Sequence, residues 1–118
     1  MVSFYNQNGK PIAYIDDDSE SIYLFDGRPV AWLSDDSVYS YSGQYLGWFQ
    51  DGWVFDRSGN HVFFTENASG GPVRPVRQVR PVRGVRGVRP VRGVREVKPV
   101  RPVRSLSWSG LSSDDFFQ

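Results

Sequence analysis

At 118 residues the chain has room for one domain and little more, and its 15% aromatic content supplies large rings that can stabilise a short core. There is no cysteine, which excludes disulfide staples, and no apolar stretch approaches the roughly 20 residues of a membrane-spanning helix. The net charge of +1 is unevenly divided: residues 1–71 carry three basic against ten acidic residues (net −7), residues 72–104 carry eleven basic residues against Glu96 (net +10), and the remainder carries only Asp114 and Asp115.

The N-terminal residues show no basic region followed by an apolar run, so no signal peptide is expected. The expected location is cytoplasmic, with peripheral attachment to a membrane. Four segments then align without gaps: Phe4–Ile15, Ile22–Leu33, Val38–Phe49 and Val54–Thr65. In each, Asn8-Gly9, Asp26-Gly27, Ser42-Gly43 or Ser58-Gly59 separates two strand-like runs, as in a β-hairpin with a two-residue type I′ turn. That loop length pairs Tyr5 with Ile12, Tyr23 with Val30, Tyr39 with Leu46 and Phe55 with Val62, each an aromatic beside an aliphatic. It places Pro11 and Pro29 opposite Asn6 and Leu24. Neither proline can donate to a neighbouring hairpin, so the tips should splay, with continuous pairing only near the base.

Alternation puts Tyr5, Ile12, Tyr14, Tyr23, Val30, Trp32, Tyr39, Leu46, Trp48, Phe55, Val62 and Phe64 on one face. The other carries Ala13, Ala31 and Gly47 at equivalent places, with Phe63 breaking the set. Apolar residues on both faces argue for a closed or covered sheet. The linking turns Asp16-Asp17-Asp18, Asp35-Asp36 and Asp51-Gly52 should gather at the end opposite the tips.

The run Leu24-Phe25-Asp26-Gly27-Arg28-Pro29-Val30-Ala31-Trp32 and the run Gly52-Trp53-Val54-Phe55-Asp56 resemble the bacterial four-fold β-flower domain. The tail ending in Ser105-Leu106-Ser107-Trp108-Ser109 is similar to tails that follow this domain. The resemblance implies an all-β fold, a shallow pseudo-four-fold barrel of hairpins around an apolar channel. It implies no enzyme activity, and it carries a distant likeness to Tubby-type barrels that makes lipid association thinkable.

From Pro72 to Arg104 the chain is eleven uninterrupted triplets of the form X-Val-basic. A period of three suits polyproline II, which would extend this segment to on the order of 100 Å at about 3.1 Å per residue. The expected organisation is therefore a hairpin domain at 1–68, a basic linker at 69–104, and an apolar segment at 105–118. The linker's cations are Arg74, Arg77, Arg80, Arg83, Arg86, Arg89, Arg92, Arg95, Lys98, Arg101 and Arg104. They suit an anionic partner, with lipid headgroups first and nucleic acid phosphates second, or the acidic turns of this domain or of a second copy in a homo-oligomer. The tail has no aromatic residue on which a base could stack. Lys10, Arg28 and Arg57 near the tips could line one mouth of the barrel. Leu106, Trp108, Leu111, Phe116 and Phe117 are expected to dock on the barrel or enter its lumen, with Ser112 capping a short helix.

No catalytic constellation, cofactor motif or metal motif is visible. His61, the single histidine, falls at a hairpin tip and reads as a solvated side chain. The clustered aspartates fit no calcium-loop spacing and read as solvated turns. The expected function is a non-catalytic binding or adaptor module for an anionic lipid surface. The alternatives are self-assembly of acidic head with basic tail, and non-specific nucleic-acid binding.

Overall fold

Eight short strands follow one another in an antiparallel meander and close on themselves. The computed structural model describes residues 1–118. The strands are β1 (Val2–Tyr5), β2 (Pro11–Ile15), β3 (Ser21–Leu24), β4 (Pro29–Ser34), β5 (Ser37–Tyr39), β6 (Tyr45–Gln50), β7 (Trp53–Asp56) and β8 (His61–Phe64), and they form a closed barrel in sequence order. A single helix, α1 (Ser113–Phe116), follows the tail, with Ser112 accepting from the Asp115 amide as its cap. The barrel closes through one paired position, Tyr5 opposite Phe64, where the two rings stack at 5.5 Å.

The tips differ from the expected two-residue turns. Gly9 donates to the Asn6 carbonyl and Asn6 donates to the Lys10 carbonyl, and the other three hairpins repeat this pattern. Gly9, Gly27, Gly43 and Gly59 have φ between 78° and 99°, whereas the residues before them do not enter the positive region. Each tip is thus a three-residue loop, a type I turn closed by a left-handed glycine. The two successive positive-φ residues of a type I′ turn occur instead at the base, at Asp51 (54°) and Gly52 (78°).

A three-residue loop shifts pairing by one, and each hairpin absorbs the difference with a bulge. Phe4 faces Ala13 as a two-residue loop would require, but Tyr5 faces Pro11, leaving Ile12 as the extra residue. Val30, Leu46 and Val62 are its counterparts. The expected pairs Tyr5–Ile12, Tyr23–Val30, Tyr39–Leu46 and Phe55–Val62 are therefore not formed. Those four aliphatics instead join an interior cluster with Phe4, Ala13, Ile15, Ile22, Ala31, Leu33, Val38, Val54 and Phe63. An eight-stranded barrel is just wide enough for such side chains to fill. The prolines face Tyr5 and Tyr23 rather than Asn6 and Leu24. Pairing between the first two hairpins begins only at Ala13, so the tips do splay.

The outer face carries a ring of aromatics: Tyr5, Tyr14, Tyr23, Trp32, Tyr39, Trp48, Phe55 and Phe64, all nearly inaccessible to solvent. Trp48 stacks on Phe55 at 5.0 Å and Trp32 on Tyr39 at 5.3 Å. An outward-facing ring this large would be exposed on a bare barrel. It is covered by the tail.

Candidate functional site: the arginine belt and the tip mouth

The tail does not extend away from the barrel as a linker. The whole chain measures 36 × 36 × 22 Å, far short of an extended tail. Residues 72–104 contain no helix or strand and run once around the outside of the barrel at the level of the tips. The backbone amides of Gln78, Gly87, Glu96 and Ser105 donate to the carbonyls of Gly9, Gly27, Gly43 and Gly59 respectively. These donors are nine residues apart, three triplets per hairpin. Residues 72–107 are thus four nonapeptides beginning at Pro72, Pro81, Pro90 and Pro99, in register with the four hairpins.

This register explains the choice of residue at each X position. Gly84 and Gly93 also donate, to the Phe25 and Tyr41 carbonyls, so every X residue of the triplets that is not proline gives its amide to a tip. The six prolines stand where no donor is used. The tip glycines gain a second role, because the carbonyls of Val76, Val85, Val94 and Val103 lie where a side chain at Gly9, Gly27, Gly43 and Gly59 would project. The equivalent strand positions Pro11, Pro29, Tyr45 and His61 complete the pattern. Two carry no N–H, the Tyr45 amide donates to the Glu96 carboxylate at 2.5 Å, and the His61 amide donates to the Ser107 carbonyl at 3.0 Å.

The arginines turn inward. Arg92 lies 4.2 Å over the Trp32 ring and pairs with Glu20, and Arg101 lies 5.1 Å over Trp48 and grips both carboxylate oxygens of Asp36. Arg104 covers Phe55 and pairs with Asp51 at 2.8 Å, while Arg77 covers Tyr5 and pairs with Glu66 at 3.2 Å. Arg86 pairs with Asp16, and Arg89 with Asp18 at 3.1 Å. Arg74 and Arg83 sit over Trp53 and Tyr14, and Arg95 over Trp32 and Tyr39. Arg80 donates to the Ser3 hydroxyl at 3.5 Å. Arg77, Arg92, Arg101 and Arg104 thus each link the belt backbone to a carboxylate at or near the base across an aromatic face. The Arg101 hydrogen bond holds the Asp36 carboxyl below the usual carboxylate range. Burial alone would raise Asp18, but hydrogen bonds from Ser21 and Glu20 and the charge of Arg89 hold it low as well. Four of the base aspartates, Asp16, Asp18, Asp36 and Asp51, are therefore bound by the tail rather than left as solvated turns, while Asp17 and Asp35 stay exposed.

With the arginines inward, the valines face solvent. All eleven, from Val73 to Val103, are between 90% and 96% exposed. Among the tip cations, Arg57 approaches Glu96 at 3.8 Å, while Lys10 and Arg28 form no ion pair.

Residues 105–118 return across the tip mouth. Phe116 is buried in the interior cluster, edge-on to Phe63 at 5.7 Å, and Phe117 stacks on Phe63 at 5.6 Å. Trp108 packs against Trp53 and Phe64. Leu106 and Leu111 remain 77% and 46% exposed, contrary to the expectation that they dock. They flank the contacts made by Ser107–Ser109 and by Phe116 and lie on the solvent side. His61 is corrected too: it is 2% exposed, held edge-on to Trp53 at 4.4 Å and under the Ser107–Ser109 segment. Burial pushes its pKa down. The tip position suggested solvent, but the C-terminal segment that covers it is distant in sequence.

The described geometry defines an all-β protein: a closed eight-strand antiparallel barrel of four hairpins, clasped by its own basic tail. The family model described as 4-fold beta flower protein matches residues 2–117, and the chain belongs to that family. The match includes the belt and nearly all of the C-terminal segment, so the family unit is wider than the hairpins alone. No curated protein and no solved structure matches the chain. No helix is long and apolar enough to cross a membrane.

Proposed function

We propose that this chain is a non-catalytic binding module that attaches to an anionic lipid surface through the tip end of its barrel. The observation that carries this reading is the closed ring of eleven solvent-facing valines at the level of the tips. Single exposed valines are ordinary, but eleven of them, one in every triplet around a small domain, mark a contact surface. Lys10 and Arg28, free of ion pairs at the same end, supply attraction to anionic headgroups at about 1 kcal/mol per basic residue. The tail arginines contribute little to this contact, because six of them already hold carboxylates of the hairpin domain. Nucleic-acid binding is less favoured for the same reason, and the aromatic faces that could stack bases lie under guanidinium groups.

The test is co-sedimentation of the full chain with phosphatidylglycerol or phosphatidylcholine vesicles at low and high salt. Binding should be stronger to the anionic vesicles and be weakened by replacing Val76, Val85 and Val94 together with serine. Failure to sediment with either vesicle at low salt refutes the reading.

A second reading, self-assembly, is favoured by one observation. The complementarity that joins head and tail within one chain passes through Gly70 and Gly71, both at positive φ, where a changed path would carry the belt onto a second barrel. A concentration-dependent dimer in light scattering would support it, and a monomer at all concentrations would exclude it.

A further inference from the structure

The C-terminal segment occupies the tip mouth in an unusual way. Its last firm attachment is Ser109, whose amide donates to the His61 carbonyl at 2.7 Å and whose hydroxyl donates to Asp56 at 2.6 Å. From Gly110 to Gln118 every hydrogen bond is internal to the segment. A side chain at Gly110 would meet nothing within 4 Å, so no neighbouring atoms pack against the chain on that side. What holds the segment beyond Ser109 is the apolar contact of Phe116 and Phe117 with Phe63 and its neighbours.

The mouth and its occupant are matched in polarity. A cleft of ≈ 420 Å³ beside Phe116 is lined by Leu46, Leu111, Arg57 and Asp115. A second, beside Phe117, is lined by Leu24, Val30, Arg28 and Asp114. In both, an apolar wall continues past a phenylalanine, and a rim arginine shares the cleft with an aspartate of the segment. The occupant is thus an anionic group joined to an apolar body, tethered at Ser109.

We propose that the tip mouth is a binding site for a single-chain anionic amphiphile, and that residues 110–118 are a tethered occupant which that ligand displaces. The aliphatic chain takes the place of Phe116 and Phe117 against Leu46, Val62 and Phe63. The anionic head replaces Asp115 beside Arg57 in the first cleft or Asp114 beside Arg28 in the second. A cleft of this size falls within the range of small-molecule sites. Because the segment must leave first, the intact chain binds more weakly than one whose occupant is loosened, by the factor in which the open state is depleted. This inference goes beyond the surface reading, since it concerns one molecule in the mouth rather than a bilayer at the rim.

The test is calorimetric titration of the full chain and of its Phe116→Ala variant with monomeric dodecanoate, with dodecanol as the uncharged comparison. The variant should bind dodecanoate about tenfold more tightly than the parent chain. Replacing Arg28 and Arg57 with glutamine should weaken dodecanoate binding several-fold and leave dodecanol unaffected. Hydrogen exchange on the unmodified chain gives a reading that does not depend on the variant's folding: saturating dodecanoate should speed exchange of the Phe116, Phe117 and Gln118 amides. No dodecanoate binding by the unmodified chain, or binding that leaves those amides unchanged, overturns the proposal. Vesicle binding without dodecanoate binding removes this inference alone, and dodecanoate binding without vesicle binding removes only the surface reading.

Discussion

Arg89 donates to the buried hydroxyl of Ser21 at 2.8 Å. One nonapeptide earlier, Arg80 does the same for Ser3. One nonapeptide later the belt carries Lys98, and the hydroxyl of Ser37, the next equivalent serine, is buried without a partner. Lysine presents a compact ammonium, whereas the arginine fork can reach the serine and still lie along the barrel wall. Lys98→Arg should therefore stabilise the protein, by about 1 kcal/mol, the usual worth of satisfying a buried polar group. Arg89→Lys should destabilise it by a similar amount. Urea denaturation of the three chains checks the opposed signs, and equal midpoints would show that Ser37 needs no donor from the belt.

The three glycines of the belt make a sharper contrast. A Cβ at Gly84 or Gly93 would collide with the carbonyl oxygens of Asp26 or Ser42. At Gly87 the nearest atom to a new Cβ is the Pro29 Cδ, at 3.4 Å. Gly84→Ala and Gly93→Ala should each cost about 1–3 kcal/mol, as backbone must move to relieve the overlap. Gly87→Ala should be neutral or slightly stabilising, because it restricts the unfolded chain. Thermal unfolding of the three variants distinguishes these outcomes, and a uniform response would mean that the belt does not press on the tips.

The belt should also be required for the barrel to hold its shape. Ending the chain after Gly71 uncovers Tyr14, Trp32, Trp48 and Phe55 and removes the segment packed near the Tyr5–Phe64 closure. The truncated chain should lose its near-ultraviolet circular dichroism and bind a hydrophobic dye. A cooperative unfolding transition in that fragment would contradict this. Arg101→Ala samples the same coupling gently. It removes a cation–π contact and a partly solvent-screened ion pair, together worth about 1 kcal/mol.

The hairpins were legible because their signals are local: a glycine after Asn, Asp or Ser, flanked by alternating runs. The loop length was not, since both turn types use glycine and only the Ile12-type bulge reveals the difference. In the tail, the period of three was plain, but the period of nine was carried by subtler choices. Proline opens each nonapeptide at Pro72, Pro81, Pro90 and Pro99, and Gln78, Gly87, Glu96 and Ser105 share only the possession of an N–H. That property gains meaning once the facing tip carbonyls are known. The inward turn of the arginines was hidden for a related reason. Charge predicts attraction to some anion, but long-range closure decides that the anion belongs to the same chain.

His61 gives the last prediction. It is buried beneath the Ser107–Ser109 segment, and burial holds it neutral by pushing its pKa down. The unfolded chain therefore takes up a proton on His61 at a higher pH than the folded chain does. Stability from this residue is fully present above the ordinary histidine value of about 6.5 and is lost as pH falls through the lower, folded value. The groups facing it are Trp53, Phe55, Asp56 and Arg104. Asp56 opposes the shift, while the Arg104 charge adds to it. A His61→Gln chain should be less stable than the parent at pH 7.5 and should lose less stability between pH 7 and pH 5. Trp53 and Trp108 lie close enough to report the change by fluorescence. Parallel stability–pH curves for the two chains would show that folding leaves the pKa of His61 unchanged.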